Sequence, residues 1–152
     1  MPMPSTHSKH TTVATMILHK TYSELISIQD YYERYEYLKL NSRVGALTFG
    51  YERYLNQALY NSTPWRQLRT QVIVRDNAND MACEGYSIDG RVIVHHINPI
   101  TIEMVEQGDP AVFDPENLVC VSHDTHEAIH YGDQRLLIQP LVERKRGDTK
   151  LW

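Results

Sequence analysis

The amino-acid sequence predicts an α+β protein in which several helices precede a short unit of strands and a final helix. Three observations support this fold class. Apolar residues recur at helical spacing through much of the first half of the chain. The β-branched run "RVIVHH" follows a turn at Asp89-Gly90 and indicates a strand. Beyond it, His126 and His130 stand four positions apart in a further helical pattern, which puts both on one face.

The chain has 152 residues and a formal net charge of −4, and this length suits one domain with a single core. No apolar run approaches the roughly 20 residues of a membrane span. The two cysteines, Cys83 and Cys120, supply no disulfide framework. These features favour a cytoplasmic protein with no membrane partner.

The N-terminal part is predicted to be a flexible tail over residues 1–18, followed by a helical extension over 19–60. A first helix is expected to begin near Ser27, with Asp30 completing a capping box. A second is expected over about 51–60. Most of the tyrosines fall in this extension. They favour a packing or partner surface, and stacking on nucleic-acid bases is the alternative.

A third helix is expected to start near Pro64, because proline suits the first helical position. Its apolar stripe is expected to be buried: Trp65, Leu68 and Val72. Arg66 and Arg69 flank that stripe three positions apart, where both can reach a run of phosphates. An ordinary solvated helix face explains the same pattern equally well.

The strand at 91–96 is predicted to pair with a strand through Tyr86 and Ile88 in a hairpin. Residues 101–116 carry glycine and proline and predict a loop with at most one helical turn. The final helix is expected to run from about Asp124 to Gly132.

Five of the eight histidines fall in two clusters, His95-His96 on the strand and His123, His126 and His130 near the final helix. Taken singly, each cluster is more often a half-buried or surface group than a ligand set. Taken together, a strand-end pair facing a helical pair can hold one divalent metal and leave one imidazole free. Neutral imidazole is both a common metal ligand and a good general base near neutral pH. A metal-dependent phosphodiesterase needs this equipment.

These residues, with Asn117, resemble the site of the HNH endonuclease family, a ββα-metal motif of two strands and a helix around one cation. The resemblance covers roughly residues 21–152. The segment "YNSTPWRQLRTQVIVRDN" resembles the helix that precedes the motif in many HNH proteins, while the helical N-terminal part and the closing "ERKRGDTKLW" resemble a phage-borne HNH group. The resemblance implies an HNH core over 61–137. It also implies a C-terminal tail over 138–152 that packs on or near this core.

The resemblance assigns His95 and His126 as metal ligands, with His130 as a third ligand found in some members. It assigns His96 as the general base, and Asn117 as the residue that holds the loop and orients the His96 ring. One divalent ion is implied: Mg²⁺, Mn²⁺, Ni²⁺ or Zn²⁺. Imidazole ligands suit the last three better than Mg²⁺. Neighbours on a strand point to opposite faces, so the strand is expected to end or twist at His95.

The sequence departs from a common HNH pattern at its structural zinc. Many members carry two Cys-x-x-Cys pairs, whereas the corresponding positions here are Asp80, Cys83, Ser122 and Thr125. One cysteine in four cannot make that site, so no structural zinc is expected. Packing is expected to hold the fold instead.

Charge bears on the substrate. Residues 101–133 contain many Asp and Glu but no Lys or Arg, and this negative charge would repel DNA locally. The basic groups gather elsewhere, and they are predicted to hold phosphates of double-stranded DNA: Arg66, Arg69, Arg144, Lys145 and Arg146.

The favoured function is a DNA endonuclease of low sequence specificity, acting by a one-metal mechanism with a histidine base. The resemblance implies a phage-encoded protein in the bacterial host cytosol, with packaging proteins as candidate partners. A catalytically weak adaptor that keeps the fold and docks a packaging motor is the first alternative. A zinc-stabilised structural domain is the second.

Overall fold

The computed structural model describes residues 17–40 and 53–138. This part of the chain confirms the α+β class. Its helices, in order, are α1 (Tyr22–Ser27), α2 (Tyr31–Leu38), α3 (Arg53–Asn61), α4 (Thr63–Arg75), α5 (Ile102–Gln107) and α6 (His123–Tyr131). Its two strands are β1 (Ile93–His96) and β2 (Leu118–Val121). Two short 3₁₀ turns, Pro110–Val112 and Pro115–Asn117, lead from α5 into β2.

The two strands form one antiparallel sheet across a long connection. Ile93 lies opposite Val121, and His96 lies opposite Leu118. The predicted hairpin is therefore wrong, because Ser87 makes only an isolated bridge, to Asn79. All four residues of β2 are buried, so its backbone polar groups require a partner away from water, and β1 provides one.

The first helix of the extension also differs from its prediction. The segment forms two helices, because Ile28 is extended at φ −75° and ψ 120°. Ser27 is the last residue of α1, where its hydroxyl donates to the Glu24 backbone oxygen, and it does not cap the start of a helix. Asp30 is the N-cap of α2, where its carboxylate accepts a hydrogen bond from the Glu33 backbone N–H.

The helices α4 and α6 follow their predictions closely. Ser62 caps α4, Pro64 lies in its first turn, and its three predicted core residues are buried: Trp65, Leu68 and Val72. Gly132 ends α6 in the left-handed region, at φ 65°. Residues 101–116, which were expected to be mostly loop, contain more regular structure, since α5 and the two 3₁₀ turns begin there.

Strand β2 separates two apolar clusters. Val119 and Val121 pack with residues of α1, α2 and α6, among them Leu25, Leu38 and Ile129. Leu118 and Cys120 pack with the buried stripe of α4. Alternation along the strand produces this division, so α1, α2 and α6 cover one face of the small sheet and α4 covers the other.

Several predictions lie outside the described residues: most of the 1–18 tail, the start of the second helix near residue 51, most of the 138–152 tail, and Arg144, Lys145 and Arg146. Within the described residues, no helix has the length and apolarity needed to cross a membrane.

Candidate metal centre

His95 and His96 extend from opposite faces of β1. His95 lies opposite Val119 in the sheet register, on the side that packs against α6, and His96 lies opposite Leu118, on the α4 side. Both residues belong to the regular strand. Contrary to the expectation, the strand does not end at His95 but continues through His96, so the two imidazoles have different surroundings.

Three rings meet on the α6 side, and we call them the histidine cluster: His95, His126 and His130. The ring centroids of His126 and His130 are 4.3 Å apart, and the His95 centroid lies 5.4 Å from the first and 5.2 Å from the second. One nitrogen from each ring lies within 4.8 Å of the other two, so the cluster could hold a metal ion. The three residues assigned as ligands are thus brought together.

All three rings are held neutral. Burial, with the neighbouring imidazoles, lowers the pKa of His95 well below its usual range. Burial and His130 lower the pKa of His126 to about 4, and burial also lowers the pKa of His130. Neutral imidazole is the form that binds a metal, so near neutral pH the cluster presents ligands that need not lose a proton.

The donor set fits a divalent ion that accepts nitrogen ligands. The Nε2 atom of His95 is buried without a hydrogen-bond partner, an unfavourable state for a polar atom unless a ligand satisfies it. Three nitrogens bound at about 2.1 Å to one ion would lie about 3.4 Å apart. The ligand nitrogens already lie within 4.8 Å of one another. Zn²⁺, Ni²⁺ and Mn²⁺ match these ligands better than Mg²⁺ does.

His96 is buried on the other face of β1. Its Nε2–H donates to the backbone oxygen of Val112 at 3.0 Å. Its ring stacks on Trp65, with centroids 5.4 Å apart and planes 24° apart. Burial lowers the pKa of His96 to about 4, against a smaller opposing effect of the Val112 carbonyl. Because a carbonyl can only accept, Nε2 carries the proton and the lone pair is on Nδ1.

Asn117 is fully buried and holds the loop, although not through His96 itself. Its Nδ2 donates to the Ala111 oxygen at 3.0 Å, next to the Val112 carbonyl that bonds the imidazole. Its Oδ1 accepts from the backbone N–H and the Nδ2 of Asn98, at 2.7 and 2.8 Å. Asn117 therefore acts on the His96 ring through the loop, since its side-chain hydrogen bonds go to Asn98 and Ala111.

Asn98 is a residue that sequence reasoning missed. Besides binding Asn117, its side chain makes two hydrogen bonds with the backbone of Lys20, at 3.1 and 2.7 Å. The helical extension is thus joined to the loop beside His96. An asparagine directly before proline suggests only a turn, so the sequence carried no signal for this contact.

A second polar cluster lies at the start of α6, formed by Asp80, Ser122 and Thr125, and we call it the aspartate cluster. Asp80 Oδ2 accepts from the Ser122 N–H at 3.0 Å and the Thr125 hydroxyl at 2.5 Å. Its Oδ1 accepts from the Ala82 N–H at 2.9 Å. These are three of the four positions at which the resemblance expects zinc-binding cysteines. In this chain, hydrogen bonds join the segment around Asp80 to the start of α6, the two segments that the zinc would connect. They add to the packing that was expected to hold the fold.

The remaining predicted residues are more dispersed. Arg66 is exposed on α4, whereas Arg69 donates to the Val92 backbone oxygen at 2.7 Å. One nitrogen of the Arg69 guanidinium is therefore engaged within the protein, whereas Arg66 is open to solvent. His123 is exposed and lies near the carboxylates of Asp124 and Glu127.

Comparison with protein-family models, with curated proteins and with solved structures found no significant match for this chain.

Proposed function

We propose that the protein is a metal-dependent endonuclease of the HNH type, with the histidine cluster as its ion site and His96 as its general base. The observation that carries the proposal is the convergence of His95, His126 and His130, whose ligand nitrogens lie within 4.8 Å of one another. Two of these rings come from one helix and the third from the strand that also carries His96. Three histidine ligands beside a further histidine on the same strand fit a hydrolytic metal site better than a structural site closed by four protein ligands.

The arrangement of elements supports the same proposal. A strand, a long connection, a second strand and a helix follow one another in the order β1, β2, α6. This order agrees with the ββα-metal motif implied by the sequence resemblance. Three protein ligands also leave coordination positions for water and substrate, as in catalytic rather than structural metal sites.

The role of His96 in this proposal is to take a proton from water at Nδ1. The Val112 carbonyl holds the proton on Nε2, so Nδ1 presents its lone pair. The ring is neutral near pH 7 because burial lowers its pKa to about 4. A divalent ion, when bound, would supply Lewis-acid stabilisation of the negative charge that develops on the phosphate.

One observation favours the adaptor as a second candidate function. His96 lies on the α4 side of β1, stacked on Trp65 and only 7% exposed, whereas the histidine cluster lies on the α6 side. In a protein that only docks a partner, His96 would be a core residue, and its packing on Trp65 would be its whole role. The two candidates differ in whether purified protein cleaves DNA.

The test is cleavage of supercoiled plasmid across a panel of divalent metals, together with Ni²⁺ calorimetry. Wild-type protein is expected to nick or linearise the plasmid. His96→Ala should lose at least about a hundredfold in rate while it keeps metal binding, since general-base removal typically costs about 10²–10⁴-fold. His126→Ala should lose metal affinity and activity together. His123→Ala, an exposed histidine on the same helix, is the matched control and should retain both.

Absence of cleavage with every metal, in a protein that still binds Ni²⁺, would support the adaptor instead. Full activity of His96→Ala would overturn the assignment of the base.

A further inference from the structure

We infer that Trp65 is a positioning residue for His96: its indole sets the plane of the imidazole so that Nε2–H reaches the Val112 carbonyl and Nδ1 presents its lone pair. This inference rests on the proposed function, because His96 acts there as the base. The resemblance assigns no role to Trp65, and the sequence suggested only a core residue.

Two contacts together fix the ring, and neither does so alone. The hydrogen bond from Nε2 to Val112, at 3.0 Å, still allows the ring to rotate about the line that joins the two atoms. The indole face, 5.4 Å away and 24° from parallel, removes that freedom by covering one side of the imidazole. One tautomer and one ring plane are left.

The indole is itself fixed in place. Trp65 is 3% exposed and belongs to the apolar cluster with Leu68, Val72 and Leu118. The ring of Tyr60 meets it edge-on, with centroids 5.0 Å apart and planes 62° apart. A side chain packed on several sides cannot move aside when the imidazole moves, as a support for a base requires.

The position of Trp65 in the sequence suits this role. It lies in the first turn of α4, whose N-cap is Ser62, and Arg69 on the same helix donates to the Val92 oxygen beside β1. The helix is thus tied to the chain that leads directly into His96. A support on a rigid helix holds a reactive group more closely than one on a loop.

The experiment compares Trp65→Leu, Trp65→Phe and Val72→Ala. Val72 is buried in the same cluster two turns further along α4, so Val72→Ala is the matched control for core damage alone. Plasmid cleavage gives kcat and KM, Ni²⁺ calorimetry gives metal affinity, and ¹⁵N–¹H NMR of the histidine rings gives the tautomer of His96.

Trp65→Leu is expected to lower kcat by about tenfold to a hundredfold, as a small misplacement of a reacting group does. KM and Ni²⁺ affinity should stay within about twofold, since substrate and ion are bound elsewhere. Trp65→Phe should restore most of kcat, and Val72→Ala should leave it unchanged. NMR should find the Nε2–H tautomer in the wild type and in Trp65→Phe, and a mixture of both tautomers in Trp65→Leu.

Wild-type kcat and an unchanged tautomer in Trp65→Leu would overturn the inference. So would equal losses of kcat in Trp65→Leu and Val72→Ala. If Trp65→Leu does not fold, Trp65→Met, whose longer and more adaptable side chain also lacks a flat face, decides by the same readouts. If the wild type cleaves nothing, the nuclease proposal fails, and the tautomer measurement still decides the role of Trp65.

Discussion

The aspartate cluster and the histidine cluster both tie α6 to earlier parts of the chain, and they differ in how their polar atoms are satisfied. At the start of the helix, both carboxylate oxygens of Asp80 accept hydrogen bonds from buried donors. Further along α6, beside His126 and His130, the Nε2 atom of His95 on β1 is buried with no hydrogen-bond partner. Each cluster also joins α6 to a segment far from it in sequence.

Hydrogen-bond satisfaction separates a structural polar cluster from a candidate ligand site. A buried polar group that is fully hydrogen-bonded stabilises one arrangement of the chain, whereas an unsatisfied one costs free energy unless a ligand completes it. Asp80 meets the first description and His95 the second. Substitutions at the two positions should therefore change folding stability in opposite directions.

The largest expected effect is the loss of the aspartate cluster. Asp80→Ala should lower the free energy of unfolding by about 3 kcal/mol or more, because each buried donor left unsatisfied costs about 1–3 kcal/mol. Urea denaturation of metal-free protein measures it. Asp89→Ala, at an exposed aspartate, is the control and should change little. A loss below about 1 kcal/mol at Asp80 would mean that packing alone holds this junction.

Acid should lower the folding stability that the buried histidines provide. His96 and His126 have a pKa of about 4 in the folded protein, against an ordinary value of 6.5. Between pH 6.5 and about pH 4 the unfolded chain binds more protons at these rings than the folded protein does. Their contribution to folding stability is therefore present at neutral pH and is lost as the pH falls. For buried His96 alone the slope is about 1.4 kcal/mol per pH unit.

Urea midpoints of metal-free protein at about pH 7 and about pH 5 test this slope. His126→Gln should flatten the dependence, while His123→Gln should leave it unchanged because His123 is exposed. Equal stability of the wild type at both values would contradict the neutral, buried state of the rings.

A smaller effect of opposite sign is expected at His95. His95→Leu should raise the free energy of unfolding of metal-free protein by about 1 kcal/mol, because it removes a buried polar atom that lacks a partner. The same variant should lose Ni²⁺ binding in calorimetry. The matched replacement Asp80→Leu should destabilise. A clear destabilisation by His95→Leu would show that the unpaired nitrogen is not a cost that a ligand relieves.

The smallest effect concerns DNA. Arg66 is exposed and Arg69 is bonded to the Val92 oxygen, so Arg66→Ala should flatten the salt dependence of duplex binding by about one unit. Arg69→Ala should change folding stability more than the salt slope. Fluorescence anisotropy with two unrelated duplexes at several salt concentrations measures both. A loss of affinity for one duplex only would indicate base recognition instead.

Local pattern was enough for some of the molecule. The α4 stripe and the spacing of His126 and His130 were predictable, because helical periodicity fixes which side chains share a face. Gly132 was a sound predictor of the end of α6, since a left-handed residue ends a helix most easily at glycine. Local pattern failed near Ser27. A helix begins earlier, at Tyr22, where the Thr21 side chain accepts from the Glu24 backbone N–H, and the apolar stripe did not reveal it.

The sequence by itself determined that the histidines on α6 would lie together and that the fold would combine helices with a short strand. Tertiary structure decided which strand pairs with β1, and therefore that His95 turns to α6 while His96 turns to Trp65. It also decided that Asp80 reaches Ser122 and Thr125, and that Asn117 holds the loop. The physical reason is distance along the chain: periodicity fixes faces over a few residues, whereas pairing between distant segments depends on which buried groups satisfy one another.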